Sequence, residues 1–192
     1  MTLPRGFKAQ ANRISVRLRQ QIGLRSTDPI DPLHICAHFE IVVIKLSELR
    51  DVNGGLPGQY FLGVGSKKFS AVTMPIGGQR LIVHNDRHSE TRQRSNIAHE
   101  LAHCFLGHNL TPPLLSNGDR DRHAGIEEEA AFLGGAILMP NEAAHHIMRS
   151  GIRPNVAEEV YGVSSSMLTY RLRVSGATTV AARSAARAAA FP

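Results

Sequence analysis

Cysteine is scarce. There are two, Cys36 and Cys104, and they form neither a CxxC pair nor a disulfide framework, so a disulfide-stapled scaffold is excluded and a reducing cytoplasm is the simplest compartment. The stretch from Met1 to Arg13 has no apolar segment of the kind a secretory signal needs. Aliphatic runs such as Ile41–Ile44 are far too short to cross a bilayer, so no membrane partner is expected. No internal repeat is present. Acidic residues are also in deficit, 16 Asp and Glu against 22 Lys and Arg, for a formal net charge of +6. A basic balance fits nucleic acid or another acidic partner. Here part of the surplus is local: Arg13, Arg17 and Arg19 crowd the first helical pattern, and Arg183 and Arg187 lie near the end. These read as solvated basic faces. The remaining composition, 42% hydrophobic and 20% charged over 192 residues, is that of a soluble globular chain large enough for one domain with its own core.

Hydrophobic periodicity and turn chemistry divide the chain. Phe7 to Leu24 reads as a helix, with Ala11, Ile14, Leu18 and Ile22 at helical spacing and Gly23 as a stop. Pro32 to Phe39 reads as a short helix started by Asp31-Pro32. Ile41–Ile44, Tyr60–Val64, Phe69–Met74 and Arg80–His84 are strand candidates separated by Gly-rich turns, and together they predict a small antiparallel sheet. A long helix follows over about Glu90 to Leu106, with Ser89 before it and Gly107 after it. Helices are expected again over Ile126–Met139 and Glu142–Arg149. Asn155 and Glu158 resemble a capping box, and Ser164 can cap a last helix through Val174. Residues 1–176 thus read as one domain, with a helix-turn-helix-like segment at 156–174. The Ala- and Arg-rich tail, 177–192, has high helix propensity but little apolar surface to dock, and fraying or disorder is expected.

His99-Glu100-Leu101-Ala102-His103 is an HExxH pattern. Residues four apart lie one turn apart on the same helix face, so both imidazoles can reach one zinc ion, and Glu100 beside them can take a proton from water at the metal. Chance supplies only about 0.03 such matches in a chain of this composition. The helix also separates its faces: Ile97, Leu101, Cys104 and Phe105 form an apolar stripe, and Arg92, Asn96, His99 and His103 a polar one.

A catalytic zinc usually has three protein ligands and one open position. A third histidine six residues after His103 would serve, but that position is Asn109, and His108 is off by one. The alternative is a glutamate on the next helix, where Glu127, Glu128 and Glu129 are consecutive. Glu127 is favoured because it shares a stripe with Ala130, Ala131, Gly134 and Leu138, small residues that let two helices approach closely. Glu129 shares its stripe with Phe132, Leu133 and Ala136, which reads as packing. The register among the three stays open, as does the reading that all three favour a helix N-terminus.

These segments, with Arg94 to His103, Leu106-Gly107-His108, Glu127 to Leu133 and Ala136-Ile137-Leu138-Met139-Pro140, resemble the ImmA/IrrE-type metallopeptidases over roughly residues 7 to 175. Gly54-Gly55-Leu56-Pro57-Gly58 and the strand Leu81–Asn85 fit the same resemblance. It implies a zincin-like α+β fold with an HExxH active-site helix and a C-terminal helical segment. It implies zinc as cofactor, His99, His103 and Glu127 as its ligands and Glu100 as the catalytic glutamate. It also implies endopeptidase cleavage of a cytoplasmic protein substrate, a DNA-binding repressor encoded nearby, in transcription regulation and stress response. One departure stands out: the family usually has Asn or Asp four residues after the ligand glutamate, and here that position is Ala131. If that side chain supports a ligand histidine, the support must come from elsewhere.

Other residues carry weaker signals. Cys104 next to His103 allows a Cys–His pair, but its place on the apolar stripe reads as a buried structural thiol. His84 and His88 could orient a substrate, though a solvated strand end or loop explains both. Tyr161 and Tyr170 are oxyanion donors by chemistry alone. Arg171 and Arg173 follow the helix-turn-helix-like segment, where packing or substrate docking is favoured over direct DNA binding. The substrate is expected to lie as an added strand beside Leu81–Asn85. The rival readings are a non-proteolytic metal-dependent regulator and a DNA-binding module.

Overall fold

The computed structural model describes residues 3–51, 69–108 and 124–190. Within these, eight α-helices surround and cover a three-stranded sheet. Helix α1 spans Phe7–Gln21 and buries Phe7, Ala11, Ser15, Leu18 and Arg19, a spacing of three and four that makes one face. Helix α2, Pro32–His38, starts where expected: the Asp31 carboxylate accepts a hydrogen bond from the Leu33 N–H at 3.0 Å, and Pro32 occupies the first turn.

Strands β1 (Val42–Lys45), β2 (Ala71–Ile76) and β3 (Gln79–His84) form a sheet of order β1-β3-β2. β2 and β3 are an antiparallel hairpin turned by Gly77 and Gly78, whose φ angles of 56° and 83° suit a two-residue turn that other residues enter with strain. β1 pairs with β3 in parallel, Val42 opposite Leu81 and Lys45 opposite His84. The sheet is therefore mixed and not antiparallel. No tight turn connects β1 to its neighbour; a 3₁₀ segment, Leu46–Asp51, leaves β1, and the chain returns through β2 before β3 is made. The expected strand Tyr60–Val64 and the Gly54–Gly58 turns lie outside the described residues. Because β3 is hydrogen-bonded on both sides, no substrate can add as a strand beside Leu81–His84; that expectation is corrected by the pairing itself.

Side chains alternate across the sheet. Ile82 is buried in the main helical core, whereas Leu81 and Val83 pack with Leu46 and Phe69 in a second, smaller cluster. Helix α3, Glu90–Leu106, lies against β2 and β3 and ends at Gly107, whose φ of 68° forms a left-handed cap. Helix α4, Ala124–Leu138, is central: from Phe132 to Leu138 every residue is buried. It packs on α1, α3 and α7, and its paired glycines open two opposite sides. A Cβ at Gly134 would sit 3.1 Å from Ala98 O and from His99 N and Cα, so α3 and α4 meet backbone to backbone. A Cβ at Gly135 would meet the Met167 sulfur at 3.3 Å and Arg171 Cδ at 3.4 Å. Gly134→Ala is expected to lower stability by about 1–3 kcal/mol, as overpacking of a tight core does, because rigid helix backbone has to retreat; chemical denaturation measures it, and an unchanged midpoint would show that α4 shifts freely.

Helices α5 (Asn141–Arg149), α6 (Pro154–Tyr161), α7 (Ser165–Val174) and α8 (Ala177–Ala190) complete the fold. Ser164 caps α7, its hydroxyl accepting from the Met167 N–H at 3.3 Å. α6 begins at Pro154 after Arg153, so the Asn155–Glu158 capping box does not form; the proline's fixed φ already sets the first turn. The tail is helical over Ala177–Ala190: α8 packs on α5 and α7, although Ala177 is its one buried residue. Two arginines are fully buried: Arg19, read from the sequence as part of a solvated basic face, and Arg171, at the end of the helix-turn-helix-like segment where packing or docking is the favoured reading. The Arg19 guanidinium donates to Leu138 O at 3.1 Å and Asp28 O at 2.9 Å, and Arg171 donates to Met139 O at 2.8 Å and Asn141 Oδ1 at 3.0 Å. Burial pulls both down to about 10, so both stay charged at neutral pH and neutralise the carbonyl end of α4. No helix among the described residues is long and apolar enough to cross a membrane.

Candidate metal centre

The two histidines of the HExxH segment lie one turn apart on α3, and the close α3–α4 crossing at Gly134 brings the first turn of α4 over them. His99 Nε2 and His103 Nε2 are 3.1 Å apart. Glu127 reaches both, with Oε2 at 3.3 Å from His99 Nε2 and Oε1 at 3.6 Å from His103 Nε2. Ligand atoms bonded tetrahedrally to zinc at about 2.0–2.1 Å are separated by about 3.3–3.4 Å. The three separations bracket that value. His99, His103 and Glu127 therefore form a group that could hold a metal ion, with all their ligand atoms within 4.8 Å of one another.

The electrostatics agree with this donor set. Burial first, then the neighbouring His99, pushes His103 down to about 4, although Glu127 pulls the other way. A neutral imidazole offers a lone pair, which a metal needs and a proton would occupy. Glu100 lies beside this group on the sheet side: the Thr73 hydroxyl of β2 donates to its Oε2 at 2.7 Å. Thr73 carries no sequence motif; only the alternation that places it on the helix-facing side of β2 could have pointed to it.

The remaining candidates separate clearly. Glu129 does not serve packing: its Oε2 is 3.3 Å from His108 Nε2, and His108 Nδ1 is 2.9 Å from His103 Nδ1. The left-handed turn at Gly107 folds His108 back onto α3, which its off-by-one position in the sequence concealed. Ala131 is exposed and has no group to offer a ligand. Cys104 is half-buried, and burial raises its thiol although the neighbouring Arg80 pulls the other way, so it is not the thiolate a nucleophile needs. His84 is not solvated but buried, and His88 sits against Asn96 Nδ2 at 3.2 Å and Asn85 Nδ2 at 3.4 Å; burial lowers both rings. Tyr161 donates its hydroxyl to Thr27 O at 2.7 Å and is engaged in the core. Tyr170 lies under Arg173, whose guanidinium carbon is 6.0 Å from the ring centre.

No curated protein matches the chain. Residues 36–173, which run from α2 through α7 and include the whole His99–His103–Glu127 group, match the family model Peptidase_M78, the IrrE N-terminal-like domain, and the chain belongs to this metallopeptidase family.

Proposed function

We propose that this chain is a zinc-dependent endopeptidase with a zincin-like fold, working in the cytoplasm on a regulatory protein, a DNA-binding repressor encoded nearby. The observation that carries the reading is the convergence of ligand atoms of His99, His103 and Glu127 to within 4.8 Å of one another, the two histidines lying on the helix that also presents Glu100. Zinc held by these three residues would supply Lewis acidity, lowering the pKa of coordinated water to about 7 and polarising the scissile carbonyl. Glu100 accepts the proton released as water attacks the carbonyl carbon, then delivers it to the departing amine nitrogen as the C–N bond breaks. The Thr73 hydrogen bond holds one oxygen of this carboxylate in place during both transfers. An extended segment would approach along β2, the outer strand, among the described residues, that carries Thr73. The burial of Arg171 supports a packing role for 156–174 over a DNA-binding one.

The third ligand is tested by parallel substitutions. Glu127→Gln should weaken zinc binding by more than the about 10–100-fold typical of residues outside the ligand set. Glu128→Gln should leave affinity within a few fold, and Glu129→Gln within about tenfold. A loss confined to Glu129 would place the register two residues further on.

The substrate class is tested by incubating the purified protein and zinc with the candidate repressor and mapping fragments by mass. One cut in an extended linker, abolished by chelation, is expected. Many cuts in unrelated unfolded proteins at similar rates would mark a general peptidase. Metal-dependent binding without any cut would favour the non-proteolytic regulator.

A further inference from the structure

His103 and His108 face each other through their Nδ1 atoms at 2.9 Å. Two ring nitrogens at that distance share one hydrogen: with two they repel, and with none neither donates. Which ring holds it decides what His103 can do with its other nitrogen. A neutral His103 with the hydrogen on Nδ1 has its lone pair on Nε2, the atom that faces His99 and Glu127. The other tautomer has an N–H there and cannot bind a metal through it.

Glu129 breaks this tie. Its Oε2 lies 3.3 Å from His108 Nε2, and a carboxylate there requires an N–H on that nitrogen. Neutral His108 then has its lone pair on Nδ1, so the shared hydrogen belongs to His103. The chain runs in one direction: His103 Nδ1–H donates to His108 Nδ1, and His108 Nε2–H donates to Glu129. Little water competes for these contacts, because the side chains of His103, His108 and Glu129 are 12%, 9% and 24% exposed.

We infer that His108 and Glu129 are positioning residues that hold His103 in its metal-ready tautomer and orientation, a two-residue relay from the α3 cap to the second turn of α4. The inference rests on the reading of His103 as a ligand. It assigns Glu129 a defined task beside Glu127 and gives one to His108, which closes the Leu106-Gly107-His108 segment after the HExxH helix.

The test combines zinc titration against a chromophoric competitor with nitrogen NMR of the His103 ring in the metal-free protein. His108→Ala and Glu129→Ala should each raise the zinc Kd about 10–100-fold, and the double variant should be no weaker than the worse single one, because the two act in series. His108→Gln, whose amide oxygen can accept from His103 and whose N–H can reach Glu129, should recover most of the affinity. In the metal-free parent the ring should be the Nδ1–H tautomer, and in Glu129→Ala a mixture. Unchanged Kd and unchanged tautomer in both Ala variants would overturn the relay. So would additive losses with no recovery in His108→Gln, which would mean that only local packing was damaged. If Ala variants unfold, the Glu129→Gln protein decides: it keeps an acceptor oxygen, and loss as severe as complete removal of Glu127's carboxylate would overturn the relay by making Glu129 a ligand. A parent protein that binds no zinc yet shows the predicted tautomer would refute the ligand reading and leave the hydrogen-bond order standing; the opposite pair of results would refute the relay alone.

Discussion

Glu100→Gln should keep the metal and lose turnover by about 10²–10⁴-fold, the range over which a positioned general base contributes. The amide has the shape of the carboxylate, and its oxygen can still accept the Thr73 hydroxyl that now lies 2.7 Å from Glu100 Oε2. What it cannot do is take a proton from water. Glu100 is not among the residues whose ligand atoms converge, so zinc content should match that of the parent. Because the missing proton transfer belongs to the transition state, kcat and kcat/KM should fall together with KM little changed. Cleavage at the parent rate would remove Glu100 from the role of base, and loss of metal together with activity would move it into the ligand set.

Replacing either histidine should abolish stoichiometric zinc. The parent is expected to bind about one zinc per chain, and His99→Ala or His103→Ala leaves two of the three protein ligands of a catalytic site. Neither ring belongs to the apolar core, which α3 builds from Ile97, Ala98, Leu101 and Ala102, so both variants should fold. Metal analysis after dialysis is the direct reading. Thermal unfolding supplies a second: zinc at a hundred times its Kd should stabilise the parent by about 2.7 kcal/mol and leave the variants unmoved. Full zinc retention in both variants would remove the basis of the metallopeptidase mechanism proposed for this chain.

Much of the scaffold could be read along the chain because its signals are local. An α-helix is closed by contacts three and four residues apart. That rule places α3 at Glu90–Leu106, puts His99 and His103 on one face and ends the helix at Gly107. Asp31-Pro32 before α2 and Ser164 before α7 are equally local, each side chain capping an N–H two or three residues on. The favoured third ligand also came from a short-range pattern, the small residues in line with Glu127.

The remainder depended on partners far apart in sequence. Nothing within Val42–Lys45 records that it lies parallel to a strand about forty residues later, because strand edges are chemically alike and the pairing is settled by the packing of both faces. Periodicity marks Arg19 and Arg171 as ordinary helix residues; they are buried because the carbonyls at Leu138 and Met139 need donors where α4 ends before Pro140. Glu129 looked like packing and His108 like a misplaced ligand until the left-handed turn at Gly107 and the close approach at Gly134 set them against each other. Helix faces and the paired histidines follow from neighbours within a turn. The sheet order, the buried guanidiniums and the surroundings of His103 follow from contacts that exist only once the helices and strands have packed.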